Sequence, residues 1–182
     1  MPTERLAIIA TKGTLDMAYP PLILASVAAS LGVETAIFFT FYGLNIIHRE
    51  KMKHLKIAPI GNPAMPMVFP QSVKNTPVIG QIAGIMESVL PGPPQIMGII
   101  PGMTDLMTSM MKKMMKEKGV ASVEELLELC KEAGVKLIPC QMTMDLFGYK
   151  YEDLIDGLEH PAGATEFFNY VLAADKPMII FV

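Results

Sequence analysis

Two cysteines, ten positions apart, are all that this 182-residue chain contains, and such a pair does not make a disulfide framework. They form no Cys-x-x-Cys pair, and no Cys/His cluster has zinc-ligand spacing, so no metal is expected. Charge is scarce as well: 18% of residues are charged and the formal net charge is -3. A phosphate-backbone binder carries a basic excess, so no nucleic-acid partner is expected. No secretory leader is expected, because Met1-Pro2-Thr3-Glu4-Arg5 is polar and runs straight into an expected strand. Scarce cysteine and no leader suit a reducing cytoplasm. No clean membrane span is visible either. Met17 to Val33 is of borderline length and carries Pro20-Pro21, and Val78 to Met111 carries Glu87, Asp105 and the break Pro91-Gly92-Pro93-Pro94. Lys12-Gly13-Thr14 lacks the glycine spacing of a phosphate loop or a dinucleotide fingerprint. No cofactor is implied.

What is present is apolar sequence, 51% of the chain, enough for one domain with a full core. Leu6-Ala7-Ile8-Ile9-Ala10 reads as a strand buried on both faces, and 11–16 as a loop. Tyr19 to Leu31 reads as a helix with Pro20 and Pro21 in its first turn and Gly32 at its end. Val33 to Thr40 is rich in β-branched and aromatic residues and reads as a second strand. This βαβ unit predicts a parallel sheet with right-handed crossovers. A short basic helix is expected over Leu44 to Lys56. A Met-, Pro- and Gly-rich insertion at about 59–101 interrupts a single domain spanning 1–182, with Val78 to Leu90 as a helical piece. Met103 to Lys118 is an amphipathic helix, with Met103, Leu106, Met107, Met110, Met111 and Met114 opposite Lys112, Lys113, Lys116 and Glu117. Ser122-Val123-Glu124-Glu125 matches a capping box that opens the next helix, and Gly134 closes it. Val135 to Pro139 forms a third strand. A short helix near Tyr151 to Leu158, a last helix over Ala164 to Ala174 and a fourth strand over Pro177 to Phe181 complete the chain. No internal repeat is visible.

The two cysteines fall in different surroundings. Cys130 continues the stripe Val123, Leu126, Leu127 at i, i+3, i+4, i+7, a core position. Cys140 follows the third strand, at the open carboxyl end where ligands collect in parallel sheets. Position alone leaves Cys140 two readings, a structural thiol or a nucleophile. A turn or helix starting at Met142-Thr143-Met144 would aim backbone N–H groups at the sulfur and favour a thiolate. Asp145 is expected to cap the following turn, His48 and His54 to sit on a solvated helix face, and His160 to lie in a loop. The Met-rich helix has three readings: core or oligomer packing, peripheral membrane contact, and Cu(I) binding, which no Cys or His run supports.

Cys140-Gln141-Met142-Thr143-Met144-Asp145 resembles the Cys-x-Met-Ser/Thr-Met-Asp signature of the DsrE/DsrF-like sulfur-relay family, in its larger branch, sometimes labelled peroxiredoxin-like. Phe38-Phe39-Thr40-Phe41-Tyr42-Gly43-Leu44 is similar to a second segment of that branch, with Tyr42 where Trp is more usual. The resemblance covers nearly the whole chain. It implies a three-layer α/β/α fold with a central, mainly parallel sheet of flavodoxin-like architecture, assembled as a homo-oligomer. It also implies a sulfur carrier or sulfurtransferase-like role, with Cys140 holding a persulfide or thiosulfonate between a rhodanese-type donor and a TusA-like acceptor. Met142, Thr143, Met144 and Asp145 would then support the pocket, and Gly13, Asp16, Phe41 and Tyr42 would line the same sheet edge. No Arg and Thr set of a peroxidatic cysteine can be placed. The competing expectation is a non-catalytic binding or assembly module, peripherally membrane-associated through the Met-rich helix, in which Cys140 is inert.

Overall fold

The computed structural model describes residues 3–58, 74–89 and 101–182. Of the expected insertion, 59–73 and 90–100 lie outside the described residues. The chain divides into two compact units, Met1–Leu55 with Ser122–Val182, and Lys56–Ala121.

The first unit is built on four parallel strands: β1 (Glu4–Ala10), β2 (Glu34–Phe39), β3 (Lys136–Pro139) and β4 (Lys176–Phe181), in the order β3-β2-β1-β4. Register decides what each face carries. Ala7 lies opposite Ala36, and Phe38 opposite Ile138, so these four side chains share one face. There they pack with Phe167 and Val171 of helix α6 (Ala164–Leu172), and the Phe38 and Phe167 rings stack at 4.5 Å. Ile8, Ile37 and Leu137 alternate onto the other face and are fully buried. Helix α1 (Leu15–Ser30), which follows β1, and helix α4 (Val123–Glu132) pack against one another in the opposite layer. The result is the expected three-layer α/β/α arrangement.

Three local expectations are corrected. Helix α1 begins at Leu15, not Tyr19, so Pro20 and Pro21 lie inside it. Thr14 holds the extended N-cap conformation, Asp16 suits the first turn, and buried Leu15 and Ala18 anchor that turn. The prolines deprive the Asp16 and Met17 carbonyls of their intrahelical donors, and the packing of the helix outweighs that loss. The basic helix expected over Leu44 to Lys56 is instead two 3₁₀ turns, Phe41–Ile47 and Met52–His54. Between them His48 is extended and pairs with Leu154. Arg49 N–H donates to the Asp153 carbonyl and Ile155 N–H to that of Ile47, and these bonds draw the chain out of helix. The third correction concerns Tyr151 to Leu158, where only Tyr151–Asp153 turns, as 3₁₀. The helix falls earlier, at α5 (Gln141–Phe147). By contrast, the capping box forms as expected, with Glu125 N–H donating to Ser122 Oγ and Ser122 N–H to the Glu125 carboxylate.

At the amino end of the strands Arg5 is buried. It pairs with Glu34 at 2.6 Å, donates to the Tyr170 carbonyl and lies 4.0 Å above the Tyr170 ring. Burial works to raise the Glu34 pKa, but hydrogen bonds from Arg5 and Tyr170 and the charges of Arg5 and Lys136 hold it below its ordinary value. Burial and the bond to Glu34 push the Tyr170 hydroxyl up.

The second unit contains helices α2 (Ile79–Val89) and α3 (Met103–Glu117). On α3, Met107, Met110, Met111 and Met114 are partly buried and the three lysines are exposed. Leu106 departs from the expected stripe at 53% exposure. Among the described residues no helix is long and apolar enough to cross a membrane.

Candidate functional site

Three strand ends converge at the carboxyl edge of the sheet. Thr40 N–H donates to the Ala10 carbonyl at 3.0 Å, and Cys140 N–H to the Phe39 carbonyl at 2.9 Å, so the loops after β1 and β2 and helix α5 after β3 start side by side. Glycine permits the closeness. A Cβ on Gly13 would lie 2.1 Å from the Tyr42 carbonyl oxygen, and one on Gly43 2.1 Å from that of Ala10. Gly13 and Tyr42, both expected at this edge, are therefore in backbone contact.

Cys140 occupies the N-cap position of α5, yet its side chain accepts no hydrogen bond from the first turn. The expected N–H donors are not on the sulfur. Nor is the thiol open: Cys140 is 4% exposed and packs among Ala7, Ala36, Phe38, Ile138, Ala162, Phe167 and Val171. Its face follows from β3, since Cys140 continues the alternation of Ile138. Two bonds roof it on the outer side. Ala162 N–H donates to the Pro139 carbonyl and Gln141 N–H to that of Ala162, which lays the segment around Ala162 along β3.

The other expected site residues divide. Thr143 is fully buried; its hydroxyl lies 3.2 Å from the Thr40 hydroxyl and accepts from Phe41 N–H at 3.1 Å. Phe41 adopts φ +47°, the left-handed region that non-glycine residues seldom enter. Met144 is buried beneath α5, whereas Met142 and Leu146 are exposed. Tyr42 is also exposed and stacks on Phe147 at 5.8 Å. Phe147 leans on Tyr149, whose hydroxyl donates to Asn45 Oδ1 at 2.9 Å. Asp145 accepts from Gln141 Nε2 at 2.8 Å within α5 rather than capping the next turn with its side chain. Asp16 is exposed in the first turn of α1. His160 and His54 are exposed. His48 is not on a solvated helix face: its ring meets Tyr149 edge-on at 4.8 Å, and burial and Lys51 lower its pKa. Cys130 is the core thiol its periodicity indicates, donating to the Leu22 carbonyl at 3.4 Å, with burial pushing its pKa up to about 11. Among the described residues no three His, Cys, Asp or Glu side chains gather as a metal site.

Two participants had escaped the sequence reading. Thr40 closes β2 and meets Thr143 across the edge, a contact foreshadowed only by its place inside the second resembling segment. Ala162 covers the thiol's flank, and nothing in a lone alanine after His160-Pro161 signals that role.

Fold and site define a parallel α/β protein of three layers with one cysteine where a strand gives way to a helix. The crystal structure of the YchN protein from E. coli has the same fold, with a TM-score of 0.50 at 12% identity over 98% of this chain and 99% of that one. The model of the DsrE/DsrF/DrsH-like family matches residues 2–90 and 81–179, and the chain belongs to that family. Sulfur carrier protein DsrE2 of Allochromatium vinosum is 50% identical over 175 residues, covering 96% of this chain and 97% of that protein. Uncharacterized protein YrkE of Bacillus subtilis is 28% identical over 164 residues, covering 90% and 89%.

Proposed function

We propose that this protein is a cytoplasmic sulfur carrier that holds sulfur on Cys140. The observation that carries the reading is the 50% identity, over nearly the full length of both chains, to a protein named as a sulfur carrier. The chemistry needs one thiol, no metal and no second cysteine. In the loading step the Cys140 thiolate attacks the outer sulfur of a donor persulfide R–S–SH. A bond to that sulfur forms, the donor's S–S bond breaks, and the donor leaves as its thiolate. In the unloading step an acceptor thiolate attacks the same outer sulfur and Cys140 leaves as thiolate, so the relay involves no net oxidation. A rhodanese-type donor and a TusA-like acceptor fit these steps, and a thiosulfonate on the same sulfur is the variant cargo. Homo-oligomerisation is supported by β4, which ends the sheet and exposes Met178, Ile179, Ile180 and Phe181; an apolar edge of this kind invites a partner.

Incubation with polysulfide, followed by intact mass measurement, tests the reading. Wild type and Cys130→Ser are expected to gain mass in multiples of one sulfur, and Cys140→Ser none. No adduct on wild type, or an adduct that follows Cys130, sinks it. A second reading, an assembly module held peripherally at membranes, is favoured only by exposed Leu106 beside the lysines of α3. Liposome flotation that is absent, or unchanged after polar replacement of Met107, Met110, Met111 and Met114, would remove it.

A further inference from the structure

A buried carrier thiol poses a problem of access. At 4% exposure, Cys140 cannot meet a donor or an acceptor until something moves. Three things enclose it: the sheet itself, Phe167 and Val171 of α6, and Ala162, which pairs with Cys140 at the outer edge of β3. The strands are paired with one another, and α6 is clamped near its far end. There Arg5 donates to the Tyr170 carbonyl, and the Tyr170 hydroxyl donates to Glu34 at 2.9 Å. The segment 158–162 has less to hold it. Ala162 is its one buried residue. Glu159 N–H donates to the Leu137 carbonyl at 2.9 Å, Ala162 N–H to that of Pro139 at 2.9 Å, and Gln141 N–H to that of Ala162 at 3.1 Å. One side chain adds to these bonds, Tyr151, whose hydroxyl donates to the Leu158 carbonyl at 2.9 Å. Gly157, at φ +80°, and Gly163 bound the segment, and glycine leaves the backbone free to swing at both ends.

We propose that 158–162 is a strap that gates Cys140: the thiol reacts when the strap peels from the edge of β3 while α6 stays seated. Tyr151 is the positioning residue that holds the strap down. The proposal rests on the reading of Cys140 as the sulfur-bearing residue, and it adds which element governs when that residue is reachable. Paired residues on neighbouring strands stand about 5 Å apart on one face, so lifting Ala162 bares the flank of the thiol directly. Peeling breaks few bonds and exposes a single methyl group, which places it among the low-energy local openings of a fold. Reaction at a covered group then proceeds at the intrinsic rate multiplied by the opening equilibrium.

Two measurements on the full chain test the strap. The first is native-state hydrogen exchange of the wild type. Glu159 and Ala162 N–H should exchange through strap opening, at least about tenfold faster than Cys140 N–H, which bonds to the Phe39 carbonyl inside the sheet. Equal protection of Ala162 and Cys140 N–H overturns the proposal, because the strap would then open only with the sheet. The second is alkylation by iodoacetamide, followed separately at each cysteine by peptide mass. Cys130 is fully buried in the opposite layer with its pKa pushed up to about 11, so its modification reports global unfolding. Tyr151→Phe removes one hydrogen bond from a half-exposed ring and is expected to raise the Cys140 rate about fivefold with Cys130 unmoved. Tyr170→Phe loosens α6 instead and should leave the Cys140 rate at the wild-type value. An unchanged Cys140 rate in Tyr151→Phe, a joint rise of both cysteines in that variant, or an equal rise at Cys140 in Tyr170→Phe overturns the strap. A chain that alkylates as expected but takes up no sulfur from polysulfide overturns the carrier reading and leaves the strap standing.

Discussion

Replacing Gly43 by alanine tests how tightly the site's scaffold is closed. The new Cβ would sit 2.1 Å from the Ala10 carbonyl oxygen, 2.7 Å from its carbon and 3.2 Å from Thr11 N. All three are backbone atoms, so no side chain can swing aside. To reach even the shortest tolerable contact, the loops after β1 and β2 must part by about 1 Å. Two hydrogen bonds span that seam, Thr40 N–H to the Ala10 carbonyl and Gly43 N–H to the Thr11 carbonyl, each at 3.0 Å, and a further 1 Å or so takes both beyond bonding range. Each lost bond costs about 1 kcal/mol, and up to ~3 where the donor stays buried and unpaired. Alanine's better helical propensity returns at most ~1 kcal/mol. The expected net destabilisation is about 2–4 kcal/mol. The chain has no tryptophan, so urea unfolding followed by far-ultraviolet circular dichroism is the assay. Gly84→Ala is the control, because a Cβ there meets nothing within 4 Å; it should shift stability by no more than ~1 kcal/mol, in the stabilising direction. A cost below about 1 kcal/mol for Gly43→Ala, or equal effects at the two positions, would refute the argument from loop closeness.

Two further perturbations probe the frame around the site. Glu34 is held below its ordinary 4.5 by Arg5 and Tyr170 against the opposing effect of burial; its contribution to stability is therefore present above pH 4.5 and is lost as pH falls through the native value. Glu34→Gln is expected to be less stable than wild type at pH 7, with the difference shrinking below pH 4.5, and a difference that stays constant down to acid pH in urea titrations would contradict the assignment. Ser122→Ala removes the reciprocal capping pair of α4 and should cost about 1 kcal/mol in the same urea assay, so an unchanged midpoint would mean that the cap contributes nothing.

How far the sequence could be read depended on whether local signals had competition. The run Leu6 to Ala10 and the β-branched run after Val33 became adjacent parallel strands, as their local patterns indicate. The Ser122 box is a contact between residues three apart, and it formed as written. The errors lie where distant segments intervened. The stretch Leu44 to Lys56 lost its helix to backbone bonds with Asp153 and Ile155, about a hundred residues away, which no local window registers. At α1 the proline pair suggested a first turn, whereas buried Leu15 and Ala18 moved the start upstream. Cys140 was legible as a thiol at a strand end, but its burial was not. That depends on Ala162 lying along β3 and on Phe167 and Val171 closing from α6, all encoded more than twenty positions later.

The two segments that resemble the family meet in space at the carboxyl edge of the sheet, through the Cys140 N–H bond to the Phe39 carbonyl and through the Thr143 hydroxyl. Thr40 and Phe41 lie in the middle of the first segment, and Thr143 stands three residues after the cysteine in the second. This gives a physical reason for their pairing in one chain: the N–H of Phe41, held in a left-handed turn, finds its acceptor in the Thr143 hydroxyl of α5. It also explains why position alone left Cys140 undecided. Its apolar neighbours are those of a structural thiol, while its place before a short, tertiary-held helix is that of a reactive one. In a carrier the two descriptions are compatible. On the carrier reading proposed above, the apolar neighbours Ala7, Ala36 and Phe38 would keep solvent thiols from a persulfide on Cys140.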